Sequence, residues 1–220
     1  MSNFRTFLSA ILGGIALSLG GAAYLSLYND SFFLASAMFS IGVLAVLTFE
    51  LDIFTDKASK FISTQPRRLD QEVLALLIVA LGNTIGAIGC GLLCGFFMNE
   101  AATAVYAAKT AEPFILTFVR AVFCGMLMYI ACHGYRRQGG GFSGCAIVVA
   151  SVTTFGICGF EHFVADVFYC TARLSFGYKS FAFLGLILLG NFIGAMLFSW
   201  LYELKKNGRK HHHHHHHHHS

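Results

Sequence analysis

The sequence predicts an all-α, polytopic membrane protein of six transmembrane helices in a 3+3 inverted repeat, with the second and fifth helices broken. Three observations carry this reading. The chain holds six apolar stretches long enough to cross about 30 Å of hydrocarbon. Acidic residues lie inside two of those stretches, and one motif occurs once in each half. Hydrophobic residues make up 56% of the chain and charged residues 12%, whereas a soluble domain carries about 25% charged residues. Mean hydropathy is +0.65.

The apolar stretches fall near residues 4–28, 31–56, 71–98, 113–133, 141–170 and 180–204. The first starts at Phe4 and is too long for the core of a cleavable signal. The second and fifth contain Glu50, Asp52 and Asp56, and Glu161, His162 and Asp166. Residues 1–210 read as one transmembrane domain with repeat halves of about 4–98 and 113–204. Residues 211–220 are an expression tag with nine histidines, which leaves only His133 and His162 as native histidines.

Charge on the connections sets the orientation. Lys57, Lys60, Arg67 and Arg68 follow the second span, Arg136 and Arg137 the fourth, and Lys205, Lys206, Arg209 and Lys210 the sixth. The first connection has Asp30 and no cation, and the third sets Lys109 against Glu100 and Glu112. Arg173 and Lys179 on the fifth are a mild exception. Excess Lys and Arg stay on the cytoplasmic side, so both termini are expected there, on a multi-pass protein of the cytoplasmic (inner) membrane. No nucleic-acid partner is expected.

"ALGNTIGAI" (80–88) returns as "LLGNFIGAM" (188–196), identical at six of nine positions. "FELDIFTD" (49–56) has a weaker echo in "FEHFVAD" (160–166). Three spans per half is an odd number, so the second half enters from the opposite side. Such inverted repeats bring discontinuous helices together near the midplane, around a transport site. A helix that stops at membrane depth leaves N–H and C=O groups in need of partners. On this reading Glu50 and Glu161 are structural acceptors. Asn83 and Asn191 tie the broken loops to the third and sixth helices. Gly82, Gly86, Gly190 and Gly194 allow close helix packing.

Seven scattered cysteines form no CxxC pair and read as small apolar helix residues. No Walker loop, nucleophile elbow or zinc signature is present, so the chain is not read as an enzyme, and no metal or cofactor is expected. A haem protein would need paired axial ligands, and His133 is expected at the membrane interface, away from His162.

"GFEH" (159–162), "IFT" (53–55) and the twin "GNTIG" and "GNFIG" together resemble the formate/nitrite transporter family, including its hydrosulfide-channel branch. The resemblance covers nearly the whole native chain. It implies an aquaporin-like protomer of six helices, a homopentamer, and one pore per protomer for a small monovalent anion such as formate, nitrite or hydrosulfide. It makes His162 the central-pore histidine, Thr55 the threonine of the first broken loop and Lys109 the lysine of the outer vestibule. Phe39, Val43, Ile53 and Phe54 become constriction residues of the first half, and Met128 and Phe155 of the second. Two positions depart from the family pattern: Asp56 stands where Gly or Ser is usual, and Gly125 where an asparagine is expected. The amphipathic N-terminal helix is nearly absent. His162 could donate a hydrogen bond to the anion or pass it a proton. The alternative class is a channel for neutral small solutes built on the same broken-helix logic.

Overall fold

A computed structural model describes the backbone of residues 2–215 and the side chains of residues 2–209. The described residues form helices and connecting turns. In order they are α1 (Asn3–Leu27), α2 (Phe32–Met38), α3 (Ser40–Thr48), α4 (Phe54–Lys60), α5 (Leu69–Thr110), α6 (Phe114–Arg137), α7 (Gly141–Cys158), α8 (Phe163–Ala172) and α9 (Tyr178–His215). Five of these are long and apolar enough to cross a membrane; the shorter apolar helices are Phe32–Thr48 and Phe163–Ala172. The second span is thus α2, α3 and α4, and the fifth is α7 and α8.

One boundary differs from expectation. Residues 99–110, read as a connection after the third span, continue α5 to a length of 42 residues. The segment is alanine-rich, and alanine is the strongest helix former. The helix ends shortly before Pro113, which disfavours helical backbone in the residue before it. Lys109 therefore sits on the last turn of a long helix and not on a loop. The second span carries an additional discontinuity at Phe39, between α2 and α3, where the Ser40 hydroxyl turns back to donate to the Ala37 carbonyl.

The two breaks are built the same way. α3 ends at Thr48 and its cap Phe49, followed by Glu50 at φ +52°; α7 ends at Cys158, followed by Gly159 at φ +70°. In each, the next amide closes the helix end: Leu51 N–H donates to Val46 O (2.8 Å) and Phe160 N–H to Phe155 O (2.9 Å). This 6→1 bond across a left-handed residue is the Schellman arrangement. The chain then runs extended through Ile53 (φ −126°, ψ 148°) and His162 (φ −108°, ψ 123°) and re-enters helix at Phe54 and Phe163.

Asparagines fasten both breaks. Phe54 N–H donates to Asn83 Oδ1 and Phe163 N–H to Asn191 Oδ1, each at 2.8 Å. Asn83 Nδ2 donates to Ala10 O (2.7 Å) and Asp52 O (3.0 Å); Asn191 Nδ2 donates to Ala121 O and Glu161 O, both at 2.8 Å. Each amide thereby uses its acceptor and both its donors, with neither residue exposed. The glycines beside them press the helices together. A Cβ at Gly82 would stand 2.5 Å from Ala10 Cβ, and one at Gly190 2.6 Å from Ala121 Cβ.

These contacts correct two expectations. The Glu50 and Glu161 carboxylates accept no backbone N–H among the described bonds. Asn83 and Asn191 supply the acceptors, Glu50 is exposed, and its backbone rather than its side chain ends α3. The register of the echo also shifts. The bonding pattern pairs Glu50 with Gly159, Asp52 with Glu161 and Ile53 with His162, whereas the Phe-Glu match paired Glu50 with Glu161. A Cβ at Gly125 would run into the Asn191 carbonyl oxygen, so α6 and α9 are too close there for the asparagine expected at that position.

Candidate functional site

The breaks direct residues toward the interior between the halves. α8 is buried along its whole length, from Phe163 to Ala172, and His162 caps its N-terminus. The imidazole Nδ1 accepts from Ala165 N–H at 3.4 Å. That bond places the ring hydrogen on Nε2, because a neutral imidazole has one donor nitrogen and one acceptor nitrogen. Nε2 is buried and has no protein partner; neither has the Thr55 hydroxyl.

Two phenylalanines stand against the histidine. The Phe39 and Phe155 rings meet edge to face at 5.6 Å, and their centroids lie 6.3 Å and 6.0 Å from the imidazole. A cavity of about 30 Å³ touches Phe39, Phe155, His162, Lys109 and Asp166, enough to hold a water. Above it opens a second cavity of about 150 Å³, lined by Tyr24, Lys109, Glu112, Arg120 and Glu161 among others.

Phe39, Val43, Ile53, Met128 and Phe155 pack in one buried cluster. Phe54 does not join them. Its ring lies in a separate cluster with Leu76 and Val79 of α5 and Ala195 of α9, 6.2 Å from the Phe192 ring. The family resemblance made it a constriction candidate, but the first turn of α4 sends it into this other cluster.

Lys109 is not a free cation. Its Nζ donates to both Glu161 oxygens, at 3.2 and 3.1 Å, and stands 3.5 Å from Asp166 Oδ1. The Lys109, Glu161 and Asp166 side chains are only 16%, 5% and 1% exposed. One ammonium is therefore shared between two buried carboxylates and ties the end of α5 to the fifth-span break. Asp166 lies in the first turn of α8, where its charge favours the positive helix end. Its second task, pairing with Lys109, was not foreseen.

Arg120 was also missed. Its Nη1 donates to the carbonyls of Cys158 (3.0 Å) and Gly159 (3.3 Å), and its own carbonyl accepts from Glu161 N–H at 3.4 Å. It satisfies the freed C=O groups at the end of α7, and Nη2 reaches Glu112 at 3.3 Å. A cation inside an apolar span was the available signal. Asp56 has a similar role at the other break. Its buried carboxylate takes both guanidinium nitrogens of Arg136, one at 2.7 Å, and fixes α4 to the end of α6. His133 stacks on Tyr129 at 4.9 Å, beside Tyr202. Among the described residues, no group of three or more His, Cys, Asp and Glu side chains converges as a metal site.

The formate/nitrite transporter family model matches residues 1–204. Among solved structures, the chain is similar to a pentameric formate channel with formate bound. The two are 19% identical, with a TM-score of 0.79 over 93% of this chain and 97% of that one. It is also similar to an FNT family ion channel, at 20% identity and a TM-score of 0.77, over 90% of this chain and 87% of that chain. No curated protein sequence matches it.

Proposed function

The chain belongs to the formate/nitrite transporter family, and on that premise we propose that each protomer is a channel for small monovalent anions of the formate and nitrite class. The anion enters the cavity bounded by Lys109 and Arg120. It sheds water between Phe39 and Phe155 and is met by the His162 Nε2–H and the Thr55 hydroxyl. The observation that carries this reading is His162 itself: a buried Nε2 with its hydrogen fixed in place and no protein acceptor. Burying a polar group without a partner costs several kcal/mol on hydrocarbon scales, and a passing anion supplies the acceptor. Arg67, Arg136, Arg137 and the lysines of the α9 tail support cytoplasmic termini in the inner membrane.

His162→Asn and His162→Leu separate the roles. Asparagine can still accept the Ala165 N–H, since it is a good N-cap, and it keeps a donor; leucine keeps neither. In proteoliposomes, His162→Asn is expected to retain uptake with an altered formate-to-nitrite preference, and His162→Leu to lose about 100-fold, the roughly 2.7 kcal/mol of a lost charge-assisted bond. If the histidine also passes protons, uptake in His162→Asn loses the pH dependence that the wild type shows. Wild-type rate and preference in His162→Leu would remove the histidine from the pathway.

We further propose a homopentamer with one pore per protomer. Exposed Phe96, Phe97, Phe142 and Phe181 leave broad apolar faces on the single chain for lipid and neighbouring copies to cover. Mass measurement in mild detergent should give five copies, and a stable monomer would contradict the assembly.

A further inference from the structure

We propose that the cleft between α6 and α9 at the Lys- and Arg-rich end binds the headgroup of an anionic phospholipid. The cleft encloses about 560 Å³, and Arg137, Lys205, Lys206 and Arg209 line it. Glu203 is the one acidic residue found beside them among the described contacts, 3.4 Å from Lys206 Nζ. The Arg137 guanidinium is held by its bond from Nη1 to the Tyr202 hydroxyl at 2.6 Å, which leaves its remaining N–H groups open to an oxyanion. Tyr202 also packs under Lys206, whose Nζ stands 5.2 Å from the ring centre.

The walls identify a lipid rather than a soluble anion. Below the cations the cleft is bounded by Tyr129, Ile130 and Phe198. The neighbouring α9 surface exposes Leu197, Trp200, Leu201 and Leu204. A headgroup phosphate among the cations would continue into acyl chains along this apolar face. Tyr and Trp are the usual residues of the membrane interface, and basic pockets between transmembrane helices suit anionic headgroups. The cations near Lys57, Lys60, Arg67 and Arg68 lack these walls: their groove is lined by Ser63, Thr64, Gln65 and Glu72. That groove provides a charge-matched control. The proposal does not depend on which anion the pore carries.

The test uses the assembled protein with its histidine tag moved to the N-terminus, delipidated and titrated with phosphatidylglycerol or phosphatidylcholine, with bound lipid counted by native mass spectrometry. Phosphatidylglycerol is expected to bind at least about tenfold tighter than phosphatidylcholine, since each Lys or Arg near an anionic surface adds roughly a factor of five. K205Q/K206Q should weaken phosphatidylglycerol about tenfold or more, whereas R67Q/R68Q should leave it unchanged. Equal losses in the two double variants, or none in K205Q/K206Q, would overturn the site. Full displacement of the lipid by millimolar inorganic phosphate would make it a soluble-anion site and overturn the lipid assignment. A change in copy number without a change in lipid affinity would make the cleft a subunit contact and overturn it as well.

Discussion

Asn191→Ala is expected to be among the most destabilising substitutions in the chain. Its fully buried side chain joins α9 to two other elements: it accepts from Phe163 N–H and donates to the carbonyls of Ala121 and Glu161. Alanine leaves all three groups unpaired, at about 1–3 kcal/mol each. The sum rivals the whole stability of an ordinary domain, about 5–15 kcal/mol. Asn83→Ala removes the corresponding bonds to Phe54, Ala10 and Asp52 and should cost a similar amount. Thr154→Ala is the comparison: its exposed hydroxyl bonds only to Ala150 O, four residues back on its own helix, and its loss should be nearly neutral. Thermal melting of the detergent-solubilised variants checks this. Asparagine variants that melt with Thr154→Ala would show that the breaks hold themselves open without these amides.

The asparagines could be found in the sequence because their setting is local. Gly, Asn and Gly recur within five residues in both halves, and the glycines and the amide act on the same helix contact. The breaks could be located but not aligned. Glu50 and Glu161 look alike after a phenylalanine, yet the chain bends through backbone geometry, in which Glu50 corresponds to Gly159. A left-handed residue and an extended one leave little trace in side-chain identity, so the chemically similar pair drew the alignment two residues away. The partners of the buried charges were out of reach for a different reason. Arg136 and Asp56 lie 80 positions apart, and Lys109 and Glu161 lie 52 apart. Only the packing of α4 on α6, and of α5 on α8, brings them together. Phe54 shows the same limit on a smaller scale. Periodicity places a residue on a helix, but which side faces the pathway depends on how the half-helix is docked.

Lys109 links this packing to function. A lysine exposed in an outer vestibule would gather anions, with an effect that salt would screen. An ammonium 16% exposed between two carboxylates responds differently, because buried pairs are screened far less than exposed charges. Lys109→Gln should therefore act first on stability. It leaves Glu161 and Asp166 facing each other without a cation, and breaking a buried pair in this way costs about 3–5 kcal/mol. Neutralising the whole cluster, with Lys109→Gln, Glu161→Gln and Asp166→Asn together, removes the stranded charges and should recover most of that loss, since a buried ion cluster and its neutral replacement are often nearly equal in stability. Anion uptake separates the two roles of the lysine. If its charge draws anions to the Phe39–Phe155 constriction, the triple variant melts close to wild type yet transports poorly at every salt concentration. If uptake returns along with stability, Lys109 serves only to hold the end of α5 against the fifth-span break, and the attraction must come from Arg120 and the amides of the half-helices.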